Sequence, residues 1–179
     1  DRFHIQRICI VADRGMISKQ TIQELKKAHR STRFILGARL RAVKEIREQV
    51  LGDAGPYQEV YGPRAHSKDP SQLKIKEVRM EDRRYIVCCN EEQVRKDRAD
   101  REAIVGALRD RLKRGDKSLI GNKGYRKFLK TAGKRFEIDE EKVCGEARFD
   151  GIWVLQSDAE LSAADTALKY KELRMVESM

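Results

Sequence analysis

The sequence is short of the features that announce several common functions. Only three of its 179 residues are proline, and Pro56, Pro63 and Pro70 all fall in or directly before one stretch, residues 57–72. Its three histidines, His4, His29 and His66, are scattered, with no metal-ligand partner at ligand spacing. The four cysteines, Cys9, Cys88, Cys89 and Cys144, contain no Cys-x-x-Cys pair. That spacing gives little support to zinc ligation or to a disulfide framework; reduced thiols in a cytosolic protein are the simpler reading. No apolar run approaches the ~18 residues a membrane-crossing helix needs, and no secretory signal opens the chain. Phosphate-binding P-loops, Gly-x-Ser-x-Gly elbows and His-Glu-x-x-His zinc motifs are absent.

What is abundant is charge. Charged residues make up 38% of the chain, and 39 Lys and Arg against 29 Asp and Glu leave a formal net charge of +10. Such a balance predicts much solvated helix surface, a modest core and a polyanionic partner, because each phosphate contact releases condensed counterions. The length suits one domain with a core, or one domain carrying an inserted subdomain. The chain begins with Asp1, which reads as a processed, excised or fragmentary piece.

Arg7 to Ala12 is a continuous, β-branched apolar run, suited to a buried parallel strand, and it stops at Asp13-Arg14-Gly15. Ser18 offers an N-cap for a helix ending near His29, and Arg33 to Ala38 is a second buried strand. Strand, helix, strand predicts a parallel βαβ unit. A helix is predicted over residues 40–51, with Val43, Ile46 and Val50 at helical spacing, then a loop over 57–72. Lys74 to Met80 and Arg84 to Cys89, joined by Glu81-Asp82, predict an antiparallel hairpin. Glu91 to Arg114 reads as the longest helix, with a narrow apolar stripe and stopped by Gly115-Asp116. Residues 121–134 are rich in Lys and Gly, with Tyr125 and Phe128. A strand at 136–138, a short helix from Asp139 and a strand over 151–157 carrying Trp153 follow. Ser162-Ala-Ala-Asp165 is a loose capping box opening a last helix, which places Ala164, Ala167 and Leu168 on one face and Tyr170, Leu173, Arg174 and Glu177 on a neighbouring one.

Asp13, directly after a parallel strand, stands where open α/β sheets bind ligands, and a carboxylate there can hold a hard divalent cation. An Asp starting an ordinary turn satisfies the same pattern. Lys123, Tyr125, Arg126 and Lys127 form a basic patch with an interleaved aromatic, suited to phosphate contact and base stacking, or equally to a solvated loop. Trp153 sits in an apolar strand and reads as core.

In order and spacing, several segments resemble one family. Val11-Ala-Asp13-Arg-Gly-Met16 resembles the second acidic motif of DDE-type bacterial insertion-sequence transposases, and Tyr170-x2-Leu173-x3-Glu177 resembles their third, Tyr-x2-Arg-x3-Glu-x6-Lys. Phe34 to Arg39, Gly121 to Tyr125, Asp150 to Leu155 and Leu168 to Glu172 continue the likeness along the chain. The resemblance implies an α/β, partial ribonuclease-H-like fold with a β-rich and helical insertion between the second and third acids. Residues 1–39 would form part of the core, 40–157 the insertion and 158–179 the start of the helix carrying Glu177. It implies Asp13 and Glu177 as catalytic, metal-binding acids for Mg2+ or Mn2+. It also implies DNA contacts at Arg14, Lys123, Tyr125, Arg126, Lys127, Tyr170 and Arg174.

The implied activity is DNA cleavage and strand transfer at transposon ends, in a cytoplasmic, nucleoid-associated protein that is dimeric in its full-length form, with no membrane and no small-molecule substrate. Leu173 departs from the motif's Arg, although Arg174 is adjacent. The first acid and the final Lys would fall before Asp1 and after Met179, so this chain alone is expected to be inactive. A non-catalytic DNA-binding remnant of a mobile element is the alternative, and a degenerate product with no retained function is a third.

Overall fold

A computed structural model describes residues 8–13, 16, 19–29, 31–114, 126–132 and 135–176. The chain is mixed α/β and divides into two compact units, one of residues 1–90 with 152–179, the other of residues 91–151.

The first unit is built on a six-stranded mixed sheet in the order β1-β2-β8-β5-β4-β3. β1 (Ile8–Ala12) and β2 (Thr32–Gly37) are parallel, joined by α1 (Lys19–Ala28) as the sequence pattern predicts. Every other pairing is antiparallel: β2 with β8 (Ile152–Ser157), β8 with β5 (Arg83–Cys89), β5 with β4 (Leu73–Met80) and β4 with β3 (Gln58–Tyr61). The expected 74–89 hairpin is present, turning at Glu81, which takes a left-handed φ of 51°. The stretch expected as loop holds β3, whose register with β4 is irregular between Glu59 and Tyr61. The expected helix over 40–51 is realised with a π-helical segment at Ile46–Val50, where Leu51 N–H returns to Ile46 O; Ile46 and Val50 are buried, while Val43 is exposed.

Alternation of side chains across the sheet gives it two buried faces. Ile35, Ile75, Ile86, Cys88 and Leu155 point to one face and pack with Ala167 and Tyr170 of the last helix, α4 (Ala163–Val176). Six of these residues (Ile35, Ile75, Ile86, Cys88, Leu155 and Ala167) are 0–1% exposed, and each large aliphatic among them contributes about 1.5–3 kcal/mol by leaving water. The opposite face meets α1, where Lys26 lies over the Phe34 ring at 4.7 Å, and the 45–53 segment, where Glu45 pairs with Arg83 and Asp53 with the buried Lys76.

The second unit leaves from β5 and returns into β8, which are paired neighbours with Cys89 opposite Ile152. It holds α2 (Glu91–Arg114), the hairpin β6 (Leu129–Ala132) with β7 (Arg135–Ile138), and α3 (Glu140–Ala147), capped by Asp139 accepting from Lys142 N–H at 3.0 Å. Its apolar cluster is small: Leu108 and Phe128, with Ile104, Leu112, Leu129, Ile138 and Val143 around them. This compact unit lies within the stretch expected as an insertion, 40–157, whose strands β3, β4, β5 and β8 continue the sheet begun by β1 and β2. Among the described residues, no helix is long and apolar enough to cross a membrane.

Candidate functional site

The register of the sheet brings several chemically capable side chains to one of its ends. β1 and β2 run in parallel and finish together, with Ala12 opposite Leu36. β8 begins beside the end of β2, Ala38 N–H donating to Val154 O at 2.8 Å. β5 ends where β8 begins, and β4 begins where β5 ends, with Lys74 opposite Cys89. Asp13, Arg39, Ser71, Lys74 and Trp153 therefore share this end, the usual place for a ligand in an open α/β sheet.

α4 crosses the same end and is fixed along its length. At its start the Ser162 hydroxyl accepts from Asp165 N–H at 3.0 Å and donates to Asp165 Oδ2 at 2.6 Å, so Ser162 caps the helix as the sequence predicts, with Asp165 bonded to the hydroxyl and not to the backbone as in a full capping box. Thr166, fully buried, donates to Ser162 O at 2.8 Å, and Ala167 is buried against the sheet. Lys171 donates to Ser71 Oγ at 2.7 Å and lies 5.8 Å from the centre of the Tyr61 ring. Between these anchors Tyr170 is 5% exposed, and its hydroxyl donates to Asp13 Oδ1 at 2.5 Å across 157 residues of sequence. Short O–H···O− bonds of this kind are about twice as strong as neutral ones. The sequence pattern put Tyr170 on a face neighbouring that of Ala167; the structure buries both against one sheet.

Of the residues singled out in the sequence, then, Asp13 and Tyr170 meet. Arg14, Lys123, Tyr125 and Glu177 lie outside the described residues, and Arg174 falls within α4 with its side chain outside them. Arg126 and Lys127 belong to the second unit. Arg126 is exposed, while Lys127 pairs with Glu146 and sits 5.1 Å from the Phe128 ring centre. Trp153 is half-buried against the core cluster. The four cysteines are free thiols, and burial pushes the Cys88 thiol well above its ordinary range, which keeps it protonated.

Two basic residues at this end escaped the sequence reading. Arg39 is exposed at the close of β2, and Lys171 follows Tyr170 directly. The signal for Arg39 was its position at a parallel strand's end; Lys171 offered none beyond adjacency to the motif tyrosine.

A carboxylate at the end of a parallel strand is a donor of the kind a hard divalent cation takes. Asp13 supplies such oxygen, and its Oδ1 accepts a hydrogen bond from Tyr170. Mg2+ sites commonly use only one or two carboxylates, with water and substrate phosphate completing the shell. Among the described residues, no three His, Cys, Asp or Glu side chains cluster, so Asp13 is the described ligand candidate. Comparisons with protein-family models, with curated proteins and with solved structures find no match.

Proposed function

We propose that this chain is part of the catalytic domain of a DDE-type transposase, in which Asp13 and Glu177 are two of the acids that act on DNA ends. The supporting observation is the Tyr170–Asp13 hydrogen bond. The motif resembling the family's third acid and the motif resembling its second lie far apart in sequence, and the last helix folds back so that they touch. In this reading β1, α1 and β2 are the closing part of a ribonuclease-H-like core, and everything between β2 and α4 is inserted between the two acids.

Divalent cations held by such acids would supply charge neutralisation and in-line orientation at a phosphodiester. The chain's own residues then have separable tasks. Asp13 offers carboxylate oxygen at the open end of the sheet. Arg39, exposed at the close of β2, and Arg126 of the second unit offer positive charge to a DNA backbone. The activity belongs to a cytoplasmic protein working at the nucleoid on double-stranded DNA, with dimerisation in the full-length form.

Iron-directed cleavage tests the shared site. Fe2+ bound in place of Mg2+ and treated with peroxide cuts the polypeptide near its ligands. Cuts near both residue 13 and residue 177, suppressed by Mg2+ and lost in Asp13→Asn, are expected. Scattered cuts that ignore Asp13→Asn would remove the basis of the reading. Duplex DNA binding that weakens steeply with salt, in a chain showing no such cuts, would favour the non-catalytic DNA-binding remnant instead.

A further inference from the structure

The resemblance assigns Tyr170 to the DNA, yet its side chain is 5% exposed and its hydroxyl is committed to Asp13. A buried phenol aimed at a carboxylate has a different use. Asp13 follows directly on the last residue of β1, so β1 fixes its backbone, and the direction of its carboxylate is set by what binds it. A donor delivered from a separately anchored element narrows that direction. α4 is such an element: Ser162 caps its start, Ala167 is locked in the core one turn before Tyr170, and Lys171 is tied to Ser71. The phenol therefore arrives at Asp13 from a rigid support, the arrangement by which outer hydrogen bonds orient a metal-binding carboxylate.

We propose that Tyr170 is a positioning residue for Asp13, setting the plane of its carboxylate for a divalent cation while making no contact with the DNA itself. This rests on the reading of Asp13 as a cation ligand and adds to it the group that makes the ligand competent. It also gives the family-like tyrosine spacing a physical meaning in this chain: the residue is required where α4 passes the end of β1.

The test is Mn2+ binding to the whole chain, followed by electron paramagnetic resonance, beside thermal unfolding of each variant. Tyr85 provides an internal control, since it too is buried with its hydroxyl near a carboxylate, Glu45 Oε1 at 3.4 Å, on the other face of the sheet. Tyr170→Phe should lower Mn2+ affinity by about tenfold or more at temperatures where the variant is fully folded, Asp13→Asn should abolish binding, and Tyr85→Phe should bind as the unmodified chain does. If Tyr170→Phe binds normally while Asp13→Asn does not bind, the positioning role is overturned and the cation reading survives. If Tyr85→Phe weakens binding as much as Tyr170→Phe, the effect is one of general stability and the positioning role is again overturned. Failure of the unmodified chain to bind Mn2+ would sink the cation reading and this proposal with it.

Discussion

The two compact units solve the problem of folding a highly charged chain in different ways. The sheet unit packs aliphatic side chains on both faces, several of them fully buried, and the buried Lys76 is paired with Asp53. Among the described residues of the 91–151 unit, the buried apolar side chains are Val105, Leu108, Phe128 and Phe149. Its ion pairs include Arg101–Asp150, whose side chains are 12% and 9% exposed, and the exposed Arg109–Glu140 pair at 2.9 Å. Asp97 adds to this by accepting from Gly151 N–H at 2.8 Å, at a glycine whose φ of 62° disfavours any side chain. A high proportion of charge thus need not mean a weak core throughout; here it is carried disproportionately by one inserted piece.

Leu155→Ala should produce the largest effect. It empties a fully buried position where β8 faces α4, and a loss of about 3–5 kcal/mol follows from transfer plus cavity terms. Urea unfolding followed by amide exchange should show that loss in strands β1 to β5 and β8; a change under ~1 kcal/mol would mean that the apolar layer is less decisive than its burial implies. Arg101→Ala comes next, at about 3 kcal/mol, since it strands the Asp150 carboxylate in a mostly buried setting. Exchange rates over residues 91–151 report it, and replacing both partners with apolar residues should recover much of the loss, as buried pairs seldom outperform good packing.

The smallest effect concerns charge on the sheet unit. The hydrogen bond from Arg84 holds the Glu77 carboxyl below its ordinary 4.5, with Arg79 assisting against the opposing effect of burial. A depressed acid contributes stability above its unfolded value and loses it as the pH falls through its folded one. The stability difference between the unmodified chain and Glu77→Gln should therefore be full near neutrality and shrink below about pH 4.5. A difference that instead grows on acidification would contradict the pairing with Arg84.

Much of this architecture was legible because local and tertiary preferences agreed. The β-branched run before Asp13, the Lys74–Cys89 hairpin and the 91–114 helix each carry their own periodicity. β3 was hidden because Gln-Glu-Val-Tyr is short, polar and irregular in register, the character of an edge strand held by its neighbour. β6 was hidden in a Lys- and Gly-rich stretch, since its pairing with β7 is what makes it a strand. The placement of Asp13 at a strand end could be read from sequence. Its contact with Tyr170 could not, because helical spacing says which residues share a face without saying which face meets the sheet.

The point of attachment of the 91–151 unit also bears on how this chain could change. Its two ends join strands that already lie side by side, about 4.8 Å apart. A tight turn could therefore replace all of it and leave β5 and β8 joined as an ordinary hairpin. Nothing in the ladder from β1 to β3 registers how long the excursion is, so it could be trimmed, enlarged or exchanged as a cassette while Asp13 and Tyr170 stay where they are.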